Sequence, residues 1–126
     1  MTTIEQLKTQ KRSKNEGIMS QTIETPWGKA QCVTNITDWL IKVSTSSHGG
    51  LRVSQDYNQF IPNELRDGQG WYEEDCAWSI VVTFLEKFIL VDCWDYHSMK
   101  TILHKDHIET FKRWYPDYTY LLPVNV

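Results

Sequence analysis

Three patterned runs joined by very short turns constrain this chain more than anything else in it. Residues Lys29–Ile36 place Ala30, Cys32 and Thr34 on one face and Gln31, Val33 and Asn35 on the other. A period of two is the mark of a half-buried strand. Thr37-Asp38 separates this run from Trp39–Thr45, rich in Ile41, Val43 and Thr45. Ser46-Ser47-His48-Gly49-Gly50 then leads into Leu51–Val53. Connections this short join antiparallel neighbours, because a parallel pair needs a crossover of about a dozen residues. The predicted nucleus is therefore an antiparallel meander, with Pro26-Trp27-Gly28 adding a turn just ahead of it.

Beyond the meander the pattern changes. Ser54 offers an N-cap for a short helix over Gln55–Phe60, Pro62 opens one further turn over Asn63–Arg66, and Asp67-Gly68-Gln69-Gly70 reads as a loop. The main helix is predicted over Trp71–Leu85. Trp71, Asp75, Trp78, Val82 and Leu85 recur at helical spacing, and Cys76, Ile80 and Val81 widen the apolar face. Glu73, Glu74 and Asp75 would sit in its first turn, where negative charge favours the helix dipole. Phe88–Trp94 predicts another strand, centred on Ile89-Leu90-Val91. Met99, Ile102 and Leu103 share a helix face. Asp106, with Glu109 three residues on, reads as a capping box for a helix carrying Ile108, Phe111, Trp114 and Tyr115. Tyr115-Pro116 ends that helix, and the last ten residues read as extended. The expected fold class is α+β, an antiparallel sheet of about four strands packed by two or three helices.

The 126 residues suffice for one core. Residues 1–19 are polar and basic and read as a flexible tail; 20–126 read as a single α+β domain. Lys8, Lys11, Arg12 and Lys14 against Glu5 and Glu16 give the tail +2, which leaves −5 on the remainder of a chain of net −3. An acidic body argues against direct nucleic-acid binding, which needs a phosphate-tracking surface, and fits docking on a basic partner protein. Six Trp and six Tyr supply rings for a core and equally for a binding face. Cys32, Cys76 and Cys93 are odd in number and unpaired in spacing, so no disulfide framework is expected and a reducing cytoplasm is. No apolar run reaches the length of a membrane span, and the N-terminal residues lack the apolar centre of a signal peptide.

Two groups of residues could carry chemistry. His48 follows a serine pair and precedes two glycines, which let the backbone approach a neighbour closely. With Glu73 and Cys76, three apart and able to share a helix face, it would make a zinc site of nitrogen, oxygen and sulfur donors. Alternatively Glu73 or Asp75 would orient the imidazole for general-base work, as in a metal-dependent, hydrolase-like enzyme. The same residues also serve as dipole carboxylates, a core thiol and a turn histidine. Cys93, His97, His104 and His107 form a second set, whose spacings of four and three would suit a structural zinc. No nucleophile elbow, P-loop or dinucleotide fingerprint is present.

Three blocks taken together resemble a family. Thr25-Pro26-Trp27-Gly28, Ser44–Gly50 with Leu51 and Ser54, and Gly70–Cys76 with Trp78 are similar to a domain-of-unknown-function family spread through phages, plasmids and their bacterial hosts. The resemblance covers about half the chain, Glu24 to Phe88, and Trp114–Asp117 is similar to the family's closing motif, with Tyr115 where a His is frequent. It implies a small accessory protein of a mobile element, of the kind that inhibits host defence, anti-CRISPR proteins included. Such a protein acts by binding. Glu74, Asp75, Trp71 and Tyr72 are then the expected contacts to a host defence protein such as a CRISPR nuclease.

Overall fold

The computed structural model describes residues 23–103 and 106–123; the basic segment 1–19 lies outside them. Strands β3 (Cys32–Asn35), β4 (Leu40–Ser44), β5 (Gly49–Val53) and β6 (Trp71–Glu73) form one antiparallel sheet in that order. A ribbon of β1 (Glu24–Thr25) and β2 (Gly28–Lys29) precedes it, turned by Pro26-Trp27. The helices are α1 (Gln55–Asn58), α2 (Trp78–Asp92), α3 (Tyr96–Leu103) and α4 (His107–Trp114), and a 3-10 helix covers Pro116–Leu121. The chain is α+β, as its patterning predicts. None of the described helices is long and apolar enough to cross a membrane.

Register assigns the two faces of the sheet. Leu40 opposes Val53, and Leu51 lies between Lys42 and Tyr72. Leu40, Leu51, Val53 and Tyr72 therefore share the inner face, and each is at most 2% exposed. Helix α2 packs there against β5 and β6. It contributes Val81, Val82, Leu85 and Ile89, all fully buried, and α4 adds Phe111. Each such side chain contributes about 1.5–3 kcal/mol relative to an exposed one. The outer face carries Asn35, Ile41, Arg52 and Trp71 in one row across the sheet, and Val33, Val43, Gly50 and Glu73 in the next.

Three local expectations differ from the structure. Trp71–Glu73 is a strand, not the first turn of the main helix. Trp71, Tyr72 and Glu73 alternate half-buried, buried and half-buried, and aromatic side chains suit a pleated surface. The chance spacing of Trp71, Asp75 and Trp78 mimicked a helix across what is a turn at Glu74–Ala77. Second, Phe88–Trp94 is not a strand, because α2 continues to Asp92. Ile89 extends the buried stripe of Val82 and Leu85, whereas Leu90 and Val91 point out at 51% and 63% exposure. Burial along one helix face overrides the strand preference of β-branched residues. The fourth strand is thus β6. Third, the C-terminal stretch is a 3-10 helix started by Pro116, whose fixed φ suits a first helical turn.

A loop links α1 to β6, and a buried polar network holds it. Tyr72 Oη donates to Asn58 Oδ1 at 2.5 Å and accepts from the Asp67 N–H at 3.0 Å. Asn58 Nδ2 donates to the Asp67 carbonyl at 2.7 Å. Burial pushes the Tyr72 phenol up to about 12. The Asp67 carboxylate then accepts from the N–H groups of Gln69 and Trp71, which fixes where β6 begins.

Candidate functional site

The blocks that stand out in the sequence meet on the outer face of the sheet. Trp27, at the tip of the ribbon, seats on Gly50; a Cβ there would collide with the Trp27 ring and the Tyr72 carbonyl oxygen. Val43, directly opposite Gly50, is 1% exposed although it lies on the outer face. Trp27 also meets Trp71 edge to face at 5.7 Å and 85°. A Cβ on Gly49 would lie 2.7 Å from the Val43 carbonyl and 2.8 Å from Glu74 Oε2. The Glu74 N–H donates to the Gly49 carbonyl at 2.9 Å. These glycines are needed for close approach, and that accounts for the blocks by packing.

His48 is exposed in the β4–β5 turn, where its N–H donates to Thr45 Oγ1 at 3.1 Å and its carbonyl accepts from the same hydroxyl. Glu73 ends β6, and Cys76 lies in the following turn. Among the described residues no three His, Cys, Asp or Glu side chains come together to hold a metal ion. The structure therefore does not assemble His48, Glu73 and Cys76 into one donor set. Of the second set, His104 lies outside the described residues. Cys93 closes α2, His97 is exposed, and His107 Nε2 lies 3.2 Å from Glu86 Oε2. Cys76 instead meets Tyr115, whose hydroxyl donates to the thiol at 3.5 Å. Burial, that hydrogen bond and the nearby Cys76 and Glu73 charges hold the Tyr115 phenol far above its ordinary value.

The turn after β6 opens into a cleft of about 330 Å³ between the start of α2 and α4. Asp75 and Trp78 form one side; Asp106, Glu109, Thr110, Arg113 and Trp114 form the other. Helix α4 presents them because 106, 109, 110 and 113 recur at three and four residues, on one face. Phe111, on the opposite face, is fully buried and anchors the helix under Phe84 at 5.7 Å. Asp106 caps α4 by accepting from the Glu109 N–H at 3.0 Å. Three carboxylates and one guanidinium line this cleft. Trp114 is 56% exposed at its rim, an uncommon state for so large a ring.

Of the expected partner contacts, Asp75 lines the cleft, Glu74 is exposed over Gly49, and Trp71 is half-buried. Tyr72 is 1% exposed and belongs to the core, so it is not available to a partner. The acidic face of α4 was missed because Asp106 and Glu109 read as a cap, and Trp114 as part of the apolar stripe. The signal was there: Ile108, Phe111 and Tyr115 form the stripe by themselves, and 114 falls beside the polar face. No curated protein and no solved structure gives a significant match. The family described as Domain of unknown function (DUF7007) matches residues 20–122, and the chain belongs to it.

Proposed function

We propose that this protein works by binding another protein, and that the cleft between α2 and α4 receives a basic segment of it. The observation that carries this reading is the composition of the cleft: Asp75, Asp106 and Glu109 beside a half-exposed Trp114. Lysine and arginine side chains meet carboxylates electrostatically and aromatic faces through their ring quadrupole, so one groove offers both. Exposed Trp is also the ring most enriched at interface hot spots. With the acidic body of the chain and the phage and plasmid context implied by its motif blocks, the partner we propose is a host defence nuclease, of CRISPR type. Its nucleic-acid groove supplies the basic segment, and occupation of that groove inhibits it.

The test has two readouts. The protein is mixed with purified CRISPR nucleases and run on size exclusion, and phage plating is scored on cells carrying the matching defence. Formation of a complex and restored plating are expected, and both should be lost in Asp75→Lys/Glu109→Lys. No complex with any nuclease and no restored plating would sink the proposal. So would a complex that survives the double charge reversal.

A further inference from the structure

We propose that Arg52 is the centre of a second binding site, on the outer face of the sheet, that takes a carboxylate side chain of a partner peptide next to an apolar residue. It is independent of the acidic cleft. Arg52 stands in the row Asn35, Ile41, Arg52, Trp71, each directly opposite the next. Its guanidinium carbon lies 5.0 Å from the centroid of the Trp71 ring. Trp71 is held in turn by its edge-to-face contact with Trp27 and by its backbone N–H on the Asp67 carboxylate. Arg52 is exposed and makes no hydrogen bond or ion pair with any described residue. A guanidinium stacked by one face keeps its in-plane N–H groups free, and its planar fork matches a carboxylate with two parallel hydrogen bonds.

The space for the ligand is present. A cleft of about 370 Å³ lies beside Arg52, lined by Trp39, Ile41, Val53 and Ser54. Ile41, half-buried and directly opposite Arg52 on the outer face, gives the apolar wall, whereas Trp39 and Val53, at 5% and 1% exposure, belong to the core and offer little surface. The Ser54 hydroxyl makes no capping bond to α1. Asp38 also lines the cleft but is engaged by another group of the protein. A pinned, uncompensated guanidinium beside an apolar wall selects an anion attached to an apolar group. Two N–H donors in one plane favour the planar carboxylate, which accepts both, over a neutral amide, which accepts with one oxygen.

The experiment is an NMR titration of the full chain that follows the Arg52 Nε–H and Trp71 indole N–H signals. The probes are acetyl-Glu-Leu-amide, acetyl-Gln-Leu-amide and inorganic phosphate. Saturable shifts are expected with the glutamate peptide, and binding about tenfold weaker with the glutamine peptide, the equivalent of one charge-assisted hydrogen bond. Arg52→Gln should abolish the response and Arg52→Lys should lose most of it, because an ammonium neither forks nor stacks. Ile41→Glu, which sets a carboxylate opposite Arg52 within the chain, should compete and weaken binding. Equal binding of the two peptides, a response that persists in Arg52→Gln, or tighter binding of phosphate than of the glutamate peptide would overturn the proposal. If Arg52→Gln shifts the urea midpoint, Ile41→Glu decides: unchanged affinity there also overturns it.

Discussion

The ribbon-covered part of the outer sheet face and the cleft between α2 and α4 are built from the same ingredients, tryptophan and carboxylate, and are in opposite physical states. On the sheet, Trp27 lies against Gly50 and meets Trp71 edge to face, with no room for one added carbon on Gly50. In the cleft, Trp114 is 56% exposed and Asp75 and Glu109 face solvent. The difference teaches that a conspicuous block of glycines and rings can be what packing demands. The surface left open is spelled by ordinary helix residues. Substitutions in the ribbon-covered part of the sheet should therefore act through stability and those in the cleft through binding, and the division can be broken residue by residue.

The largest effect is expected at Gly50. Gly50→Ala forces a Cβ into the Tyr72 carbonyl and the Trp27 ring. Overpacking against backbone should cost about 3 kcal/mol, read as a lower urea midpoint. Trp27→Ala should not rescue it, because the Tyr72 carbonyl is backbone and cannot swing away. A Gly50→Ala protein with an unchanged midpoint would show that the Trp27 seat is loose, and would reopen the ribbon-covered part as a binding surface.

Tyr72 follows. Tyr72→Phe leaves Asn58 Oδ1 and the Asp67 N–H without their partner in a buried site, at a cost of about 2 kcal/mol in the same measurement. The variant also tests a pH dependence. The phenol is held at about 12 in the fold, chiefly by burial, against an ordinary value of 10.0. The unfolded chain releases this proton first, so the contribution is complete below pH 10.0 and falls as pH rises toward about 12. Tyr72→Phe should flatten that part of the alkaline slope. A slope unchanged by the substitution would remove Tyr72 from the buried network.

How much of this was legible in the sequence depended on the range of the signal. The meander was, because alternation and short turns are local, and Asp106 with Glu109 marked the start of α4 correctly. The position of β6 was not. Its strand identity comes from pairing with Gly50–Arg52, some twenty residues earlier, and the local spacing of Trp71, Asp75 and Trp78 pointed the other way. The end of α2 was hidden by β-branched residues whose helical state is decided by what Leu85 and Ile89 pack against. In the candidate site, Asp75 is expected as a partner contact and is exposed in the turn after β6. Its neighbours across the cleft come from α4, some thirty residues on, and only the tertiary fold brings them together. Glu73 and Cys76 share a face only on a continuous helix, and the turn at Glu74–Ala77 separates Glu73 from α2.

Asp106 belongs to both the scaffold and the cleft, and so sharpens the division. Asp106→Ala removes the cap on the Glu109 N–H and should cost about 1 kcal/mol in urea. Asp106→Asn keeps a capping oxygen and should fold almost as well as the parent. If the carboxylate also meets a basic partner, the asparagine variant should bind about threefold to tenfold more weakly despite its intact stability, read by titration calorimetry. Equal binding by the asparagine variant would confine Asp106 to capping and leave Asp75 and Glu109 as the acidic contacts.

The smallest effect on stability, and the one that bears most directly on function, is expected at Trp114. The ring is 56% exposed, whereas Phe111 one turn earlier carries the burial that holds α4 in place. Trp114→Ala should therefore move the urea midpoint by no more than about 0.5 kcal/mol, the range of ordinary surface substitutions. If the rim of the cleft is where a partner docks, the same variant should lose about 2 kcal/mol of binding, close to thirtyfold in Kd, as anchoring rings do at interfaces. The opposite result, lost stability with unchanged binding, would return Trp114 to the scaffold. The open cleft would then be a by-product of how α4 packs, and the division between the two regions would fail at its strongest point.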